Sequence, residues 1–154
     1  MNDTVKNQKQ KKRYHLRIPS QTDNLEIIRE FVTRIARQVG FRDEDIGKIE
    51  LAVDEACTNV IEHAYGYNDK KPIQVDILFD QQKLSVTISD RGKGFDPKKL
   101  KPPDMKKYME DMRRGGLGVH LMQRLMDEID FDIKPGKKNM VRMVKYLNGD
   151  KPGR

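Results

Sequence analysis

Hydrophobic positions along the chain change period several times, and each change marks an element. Residues 13–19, RYHLRIP, alternate apolar and polar side chains as a strand does, and Pro19 ends the run. Between residues 20 and 40 the apolar positions Leu25, Ile28, Val32, Ile35 and Val39 recur at intervals of three and four. That spacing predicts a helix capped by Ser20 or Asp23 and stopped by Gly40. A second helix is predicted from an Asp43 N-cap to about Ala64, where YGYNDKK breaks it. On it, Ile49, Ala52, Val53, Ala56, Val60 and Ala64 share one broad face.

IQVDILF and KLSVTISD read as the two strands of an antiparallel hairpin, separated by Asp80, Gln81 and Gln82. The periodicity then fails. From Arg91 to Gly118 the chain holds five glycines and three prolines among many charges, which predicts a functional lid or a disordered segment. GVHLMQRLMDEIDF reads as a third helix, and FDIKPGKKNMVRMVKYL as two more strands. No internal repeat is present. The order strand, helix, helix, hairpin, lid, helix, hairpin predicts an α+β fold: a two-layer sandwich with its helices on one face of a mixed, mostly antiparallel sheet.

Length and charge narrow the class. A chain of 154 residues suits one domain, expected over residues 13–148, with a disordered basic tail at 1–12 and a frayed end at 149–154. The net charge is +7, but residues 1–17 carry +5 of it, so the body of the chain is nearly balanced. A basic tail without interleaved aromatics is expected to be solvated rather than a nucleic-acid arm. No apolar run approaches the roughly 18 residues of a membrane span, and no apolar signal core follows Met1. A cytoplasmic location is expected, in keeping with a lone cysteine, Cys57, read as a small buried hydrophobe.

Three motifs carry candidate chemistry. Glu55 and Asn59 lie one turn apart, about 40° from each other, on the border of the apolar face of the second helix. A carboxylate placed there is costly unless it is used. An apolar strand next delivers Asp90 into Gly92 and Gly94; an ionised Asp can accept a hydrogen bond from an exocyclic amine, and the glycines admit a planar ring. Finally, RRGGLG places Gly115, Gly116 and Gly118 at the opening of a helix, where free N–H groups suit phosphate oxygens. Each motif alone is weak: a polar boundary pair, a glycine turn and a helix cap would look the same.

Together and in this order, over about residues 14–147, they resemble the nucleotide site of the GHKL ATPase superfamily, whose fold is the Bergerat ATP-binding type. DEACTNVIEHAY and GGLGVHLMQRLMDEIDF most resemble the bacterial anti-sigma-factor serine/threonine kinases of the RsbW and SpoIIAB type. Histidine kinases need a phosphoacceptor histidine on a separate helix, whereas His15, His63 and His120 all fall inside predicted elements of the one domain. His63 itself is expected to pack near the apolar stripe.

The resemblance implies ATP and Mg2+ as cofactors. It assigns Glu55 as general base, Asn59 as the oxygen ligand to magnesium, Asp90 with Gly92 and Gly94 to the adenine, and Arg114, Gly115, Gly116, Leu117 and Gly118 to the phosphates, with Arg113 an equal candidate for the role of Arg114. It also implies a STAS-type anti-anti-sigma protein as substrate, a sigma factor as sequestered partner and a homodimer, with no direct nucleic-acid or membrane partner. Arg29 and its neighbours on the first helix are a candidate partner surface or simply a solvated face. The family commonly opens its last strand with a Gly-Thr pair that helps hold the adenine-binding Asp. Here PGKKNMVRMV stands in that region: either Asn139 is a substitute polar partner or the contact is lost, which leaves nucleotide affinity open. A nucleotide-gated binding module without kinase activity is the alternative reading.

Overall fold

The computed structural model describes residues 11–92 and 118–149. The strands are β1 (Lys12–Pro19), β2 (Pro72–Asp80), β3 (Lys83–Asp90), β4 (Glu128–Lys134) and β5 (Lys138–Tyr146). The helices are α1 (Leu25–Gln38), α2 (Asp43–Asn59) and α3 (Gly118–Leu125). The strands form one sheet in the order β1-β2-β3-β5-β4. Every pairing among the described strands is antiparallel, so the sheet is not mixed.

Alternation decides which face is covered. Ile73, Val75, Ile77 of β2 and Leu84, Val86, Ile88 of β3 point to the helices and are buried. Ile28, Val32 and Ile35 of α1 meet them, and all six apolar positions expected along α2 are buried. The opposite sheet face, with Arg13, His15 and Arg17 on β1, carries polar and charged side chains. Among the described residues no helix is long and apolar enough to cross a membrane.

Several local expectations change. No side chain caps α1 or α2; Ser20 instead donates its hydroxyl to the Asn68 carbonyl, and Asp43 is the first residue of α2 rather than its cap. The β2–β3 hairpin closes on two residues, Gln81 and Gln82, both at positive φ, as a turn matched to the strand twist requires. α3 stops at Leu125, because EIDFDIK alternates with period two and is taken up as edge strand β4 against β5. Of the tail expected at 1–12, Lys12 opens β1 and residues 1–10 lie outside the described residues, as do residues 93–117 of the expected lid and residues 150–154.

The end of α2 is the departure with most bearing on function. After Asn59 the helix widens into a single π turn, Val60–Ala64, closed by Tyr65 N donating to the Val60 carbonyl at 2.9 Å. Such turns insert a residue and shift the phase of the helix face, often beside functional groups. His63 is consequently turned outward, 59% exposed and 3.8 Å from Glu62, rather than packed in the core.

Candidate functional site

β3 delivers Asp90 to the core side of the sheet, directly opposite Asn139 on β5. Asp90 Oδ1 accepts the Gly92 amide at 2.8 Å and the Asn139 side-chain amide at 2.9 Å. Asn139 Nδ2 also donates to the Gly92 carbonyl at 3.0 Å, and that carbonyl takes the Gly136 amide at 2.9 Å. Asn139 thus occupies the place expected of the family's threonine hydroxyl. Asp90 Oδ2 takes no hydrogen bond from a described residue.

The amide of Asn139 can face only one way, since both groups near its nitrogen are acceptors. Its Oδ1 is therefore turned away from them, buried and without a partner among the described residues. A buried acceptor in that state costs about 1–3 kcal/mol unless water or a ligand meets it.

Asn139 and Asp90 line a cavity of about 20 Å³ together with Asn59 and Ala56 of α2, Met122 of α3 and Ile133 of β4. Two polar residues expected to serve one nucleotide, Asn59 and Asp90, are therefore brought together from elements 31 positions apart in the chain. The space suits one water, so an adenine ring requires the walls to part. Met122, unbranched and buried, is the wall side chain with most freedom to give way.

Packing by itself also demands glycine at position 92. A Cβ there would lie 2.1 Å from the Ala64 carbonyl oxygen, so the chain after β3 packs against the π turn backbone and leaves no room for a side chain. Tyr65 locks the same junction: its hydroxyl donates to the Pro72 carbonyl at 2.7 Å and accepts the Arg91 amide at 3.1 Å. Burial pushes the phenol above its ordinary range and keeps that proton in place. Tyr65 has no signal in local pattern, because what it joins is distant in sequence.

Glu55 is half-buried and has no hydrogen-bond partner among the described residues. Desolvation, with the charges of Asp54 and Glu62 adding to it, raises its pKa above the ordinary carboxylate range. Asp54 in turn lies 3.4 Å from Arg29 Nη1, so that arginine is at least partly engaged within the domain. Cys57 is fully buried, and desolvation first, then Asp54, pushes its thiol far up, leaving no nucleophile there. Gly118 opens α3, which packs on α2. Gly94, Arg114, Gly115, Gly116 and Leu117 lie outside the described residues.

A family model for the histidine kinase-like ATPase domain matches residues 18–145. The serine-protein kinase RsbW of Bacillus velezensis is 33% identical over 140 residues, covering 88% of this chain and 86% of that one. The chain belongs to this family of histidine kinase-like ATPases, among the RsbW-type serine-protein kinases. RsbW of Bacillus subtilis (strain 168) is 31% identical over 140 residues with the same coverage.

Solved structures agree in fold. The RsbU and RsbW domains of Rv1364c from Mycobacterium tuberculosis match with a TM-score of 0.65 at 18% identity, over 93% of this chain and 34% of that one. A chain of the SiaB–SiaC complex from Pseudomonas aeruginosa also scores 0.65, at 17% identity over 85% of this chain and 88% of that one. Membership of an ATPase family carries ATP binding with it. Asp90, Asn139 and Asn59 bring polar side chains to one cavity, where Asn139 Oδ1 has no partner among the described residues.

Proposed function

We propose that the protein transfers the γ-phosphoryl group of ATP to a serine or threonine of a STAS-type anti-anti-sigma protein, and sequesters a sigma factor when unphosphorylated antagonist is absent. It would do so in the cytoplasm as a homodimer, as the family resemblance implies. The observation that carries the reading is the meeting of Asn59 and Asp90 at one cavity, with Glu55 a single turn from Asn59. The curated relatives' name, serine-protein kinase, supports a protein hydroxyl as acceptor.

Asp90 accepts a hydrogen bond from the adenine amino group through Oδ2, while Asn139 and Gly92 hold its other oxygen still. Asn59 is the residue that would hold Mg2+, through its side-chain oxygen, since magnesium favours few protein ligands. Bound there, magnesium would supply positive charge against the phosphates. Glu55 takes the proton of the incoming hydroxyl as the new O–P bond forms and ADP leaves with the electrons of the broken bond. Its raised pKa makes it a stronger base than a free carboxylate. Gly118, at the first turn of α3, would belong to the phosphate-binding end, together with Gly94, Arg114, Gly115, Gly116 and Leu117.

The test is transfer of labelled phosphate from Mg-ATP to a STAS-domain protein, with wild type and Glu55→Gln compared. Transfer in wild type and its loss in the variant is the expected result. ATP binding without transfer to any antagonist would support the nucleotide-gated binding module instead.

A further inference from the structure

The open face of the sheet holds a second concavity, of about 570 Å³, at the end of the sheet where β3 leaves toward Arg91. Its floor is the cross-strand row Arg17–Gln74–Ser89 on β1, β2 and β3. Its walls include Lys71, Arg91 and Lys138. The volume falls in the range of small-molecule sites.

The charges around it are unbalanced. None of Arg17, Lys71, Arg91 and Lys138 makes an ion pair with a described carboxylate; Lys71 Nζ instead sits 5.5 Å from the centre of the Tyr65 ring. Asp90 is the one described carboxylate in the lining, held at Oδ1 by the neutral amides of Gly92 and Asn139, so four cations face a single anion. The nearest acid in the same row, Asp132, lies two strands beyond Ser89 and is 3.8 Å from Lys134.

One row further along the same face the pattern reverses. His15 Nδ1 lies 2.6 Å from Asp76 Oδ1, and Arg142 Nη1 lies 3.4 Å from Asp130 Oδ2. Acidic partners thus lie beside the basic side chains across the middle of the face, whereas the four cations of the concavity, like Arg13 at the far end of β1, have no described carboxylate paired with them. A continuous basic stripe, which a nucleic-acid backbone needs, is absent from this described face.

We propose that this cleft binds a small molecule bearing two or more phosphate groups, separately from the ATP site. Arg17 and Arg91 offer forked N–H donors, Lys71 and Lys138 offer point charges, and Gln74 and Ser89 offer neutral polar contacts from the floor. The proposal rests on the charge pattern of the open face and stands whether or not the nucleotide reading holds.

The test uses inorganic pyrophosphate as probe in magnesium-free buffer of low salt, followed by 1H–15N NMR on the full chain. Expected are saturable shifts at Arg17, Gln74, Ser89, Arg91 and Lys138 at submillimolar concentrations. Arg17→Ala combined with Lys138→Ala should weaken binding about tenfold or more, because two charge-assisted contacts are lost. Arg34→Ala with Arg37→Ala on α1 removes the same net charge from exposed positions and should leave the affinity unchanged. Shifts confined to Asn59, Met122 and Gly118 would place the anion in the nucleotide site and overturn the proposal. So would an absence of saturation in the millimolar range, or equal weakening by both double variants. ATP binding is measured separately on the same samples, so failure of one reading is distinguishable from failure of the other.

Discussion

Asn139 faces Asp90 across the β3–β5 pairing and donates its side-chain amide to Asp90 Oδ1 at 2.9 Å, while the same nitrogen reaches the Gly92 carbonyl. One residue therefore fixes both the carboxylate that would read adenine and the first turn beyond it. Asn139→Ala removes both bonds in a buried setting, and should cost about 1–3 kcal/mol of stability by urea titration. ATP affinity by calorimetry should fall about tenfold. Asn139→Thr returns a hydroxyl of the kind the family commonly uses, and should bind ATP better than Asn139→Ala.

Glu55 gives a prediction in pH. Its folded-state pKa is raised, so the folded protein holds that proton more tightly than the unfolded chain does. Stability contributed by this group therefore falls as pH rises from the unfolded value through the folded one. Glu55→Gln removes the buried charge and should melt at the same or a higher temperature than wild type at neutral pH. The difference should vanish in acid, where Glu55 is protonated. Phosphoryl transfer runs the other way, declining in wild type as pH drops through the raised pKa and lost in the variant at all pH values.

Gly92→Ala should be among the most damaging single-methyl changes in the described chain. The new Cβ would meet backbone atoms of Ala64 at 2.1 and 2.5 Å, and neither the π turn nor the end of β3 can move without disturbing Asp90. A loss of about 1–3 kcal/mol or more is expected, together with weakened ATP binding. Full stability of this variant by urea titration would refute the packing.

Tyr65→Phe keeps the ring and removes the hydroxyl that ties Pro72 to Arg91. Two backbone groups lose a partner, so a fall of several degrees in Tm is expected by circular dichroism. Faster amide exchange at Arg91 should accompany it.

Cys57 should be inert in the native state. Fully buried and with its thiol pushed up by desolvation, it should react with a thiol reagent only as fast as the protein unfolds. Rapid native-state labelling would contradict its position.

Periodicity alone settles much of this molecule. The three-and-four spacing of Ile28, Val32 and Ile35, the stripe from Ile49 to Ala64 and the alternation in β2 and β3 follow from how an α-helix and a pleated strand present side chains to one core. The same local rules place Glu55 and Asn59 on one border of α2 and Asp90 at a strand end, enough to suggest the site. Where two local patterns overlapped, as in MDEIDF, the helix reading ran too far, because only pairing with β5 makes strand β4 the better solution.

Tertiary structure decided the rest. The partnership of Asp90 with Asn139 spans 49 positions, the Tyr65 bridge joins three separate segments, and the clash that demands Gly92 exists only because the π turn lies beside it. The outward turn of His63 and the closing of the cavity by Met122 belong with these. Local spacing reports which face a residue shares with its near neighbours in the chain. Hydrogen-bond partners, close backbone approach and uncompensated charge arise between segments far apart in it, and come into being only when the sheet and helices are packed together.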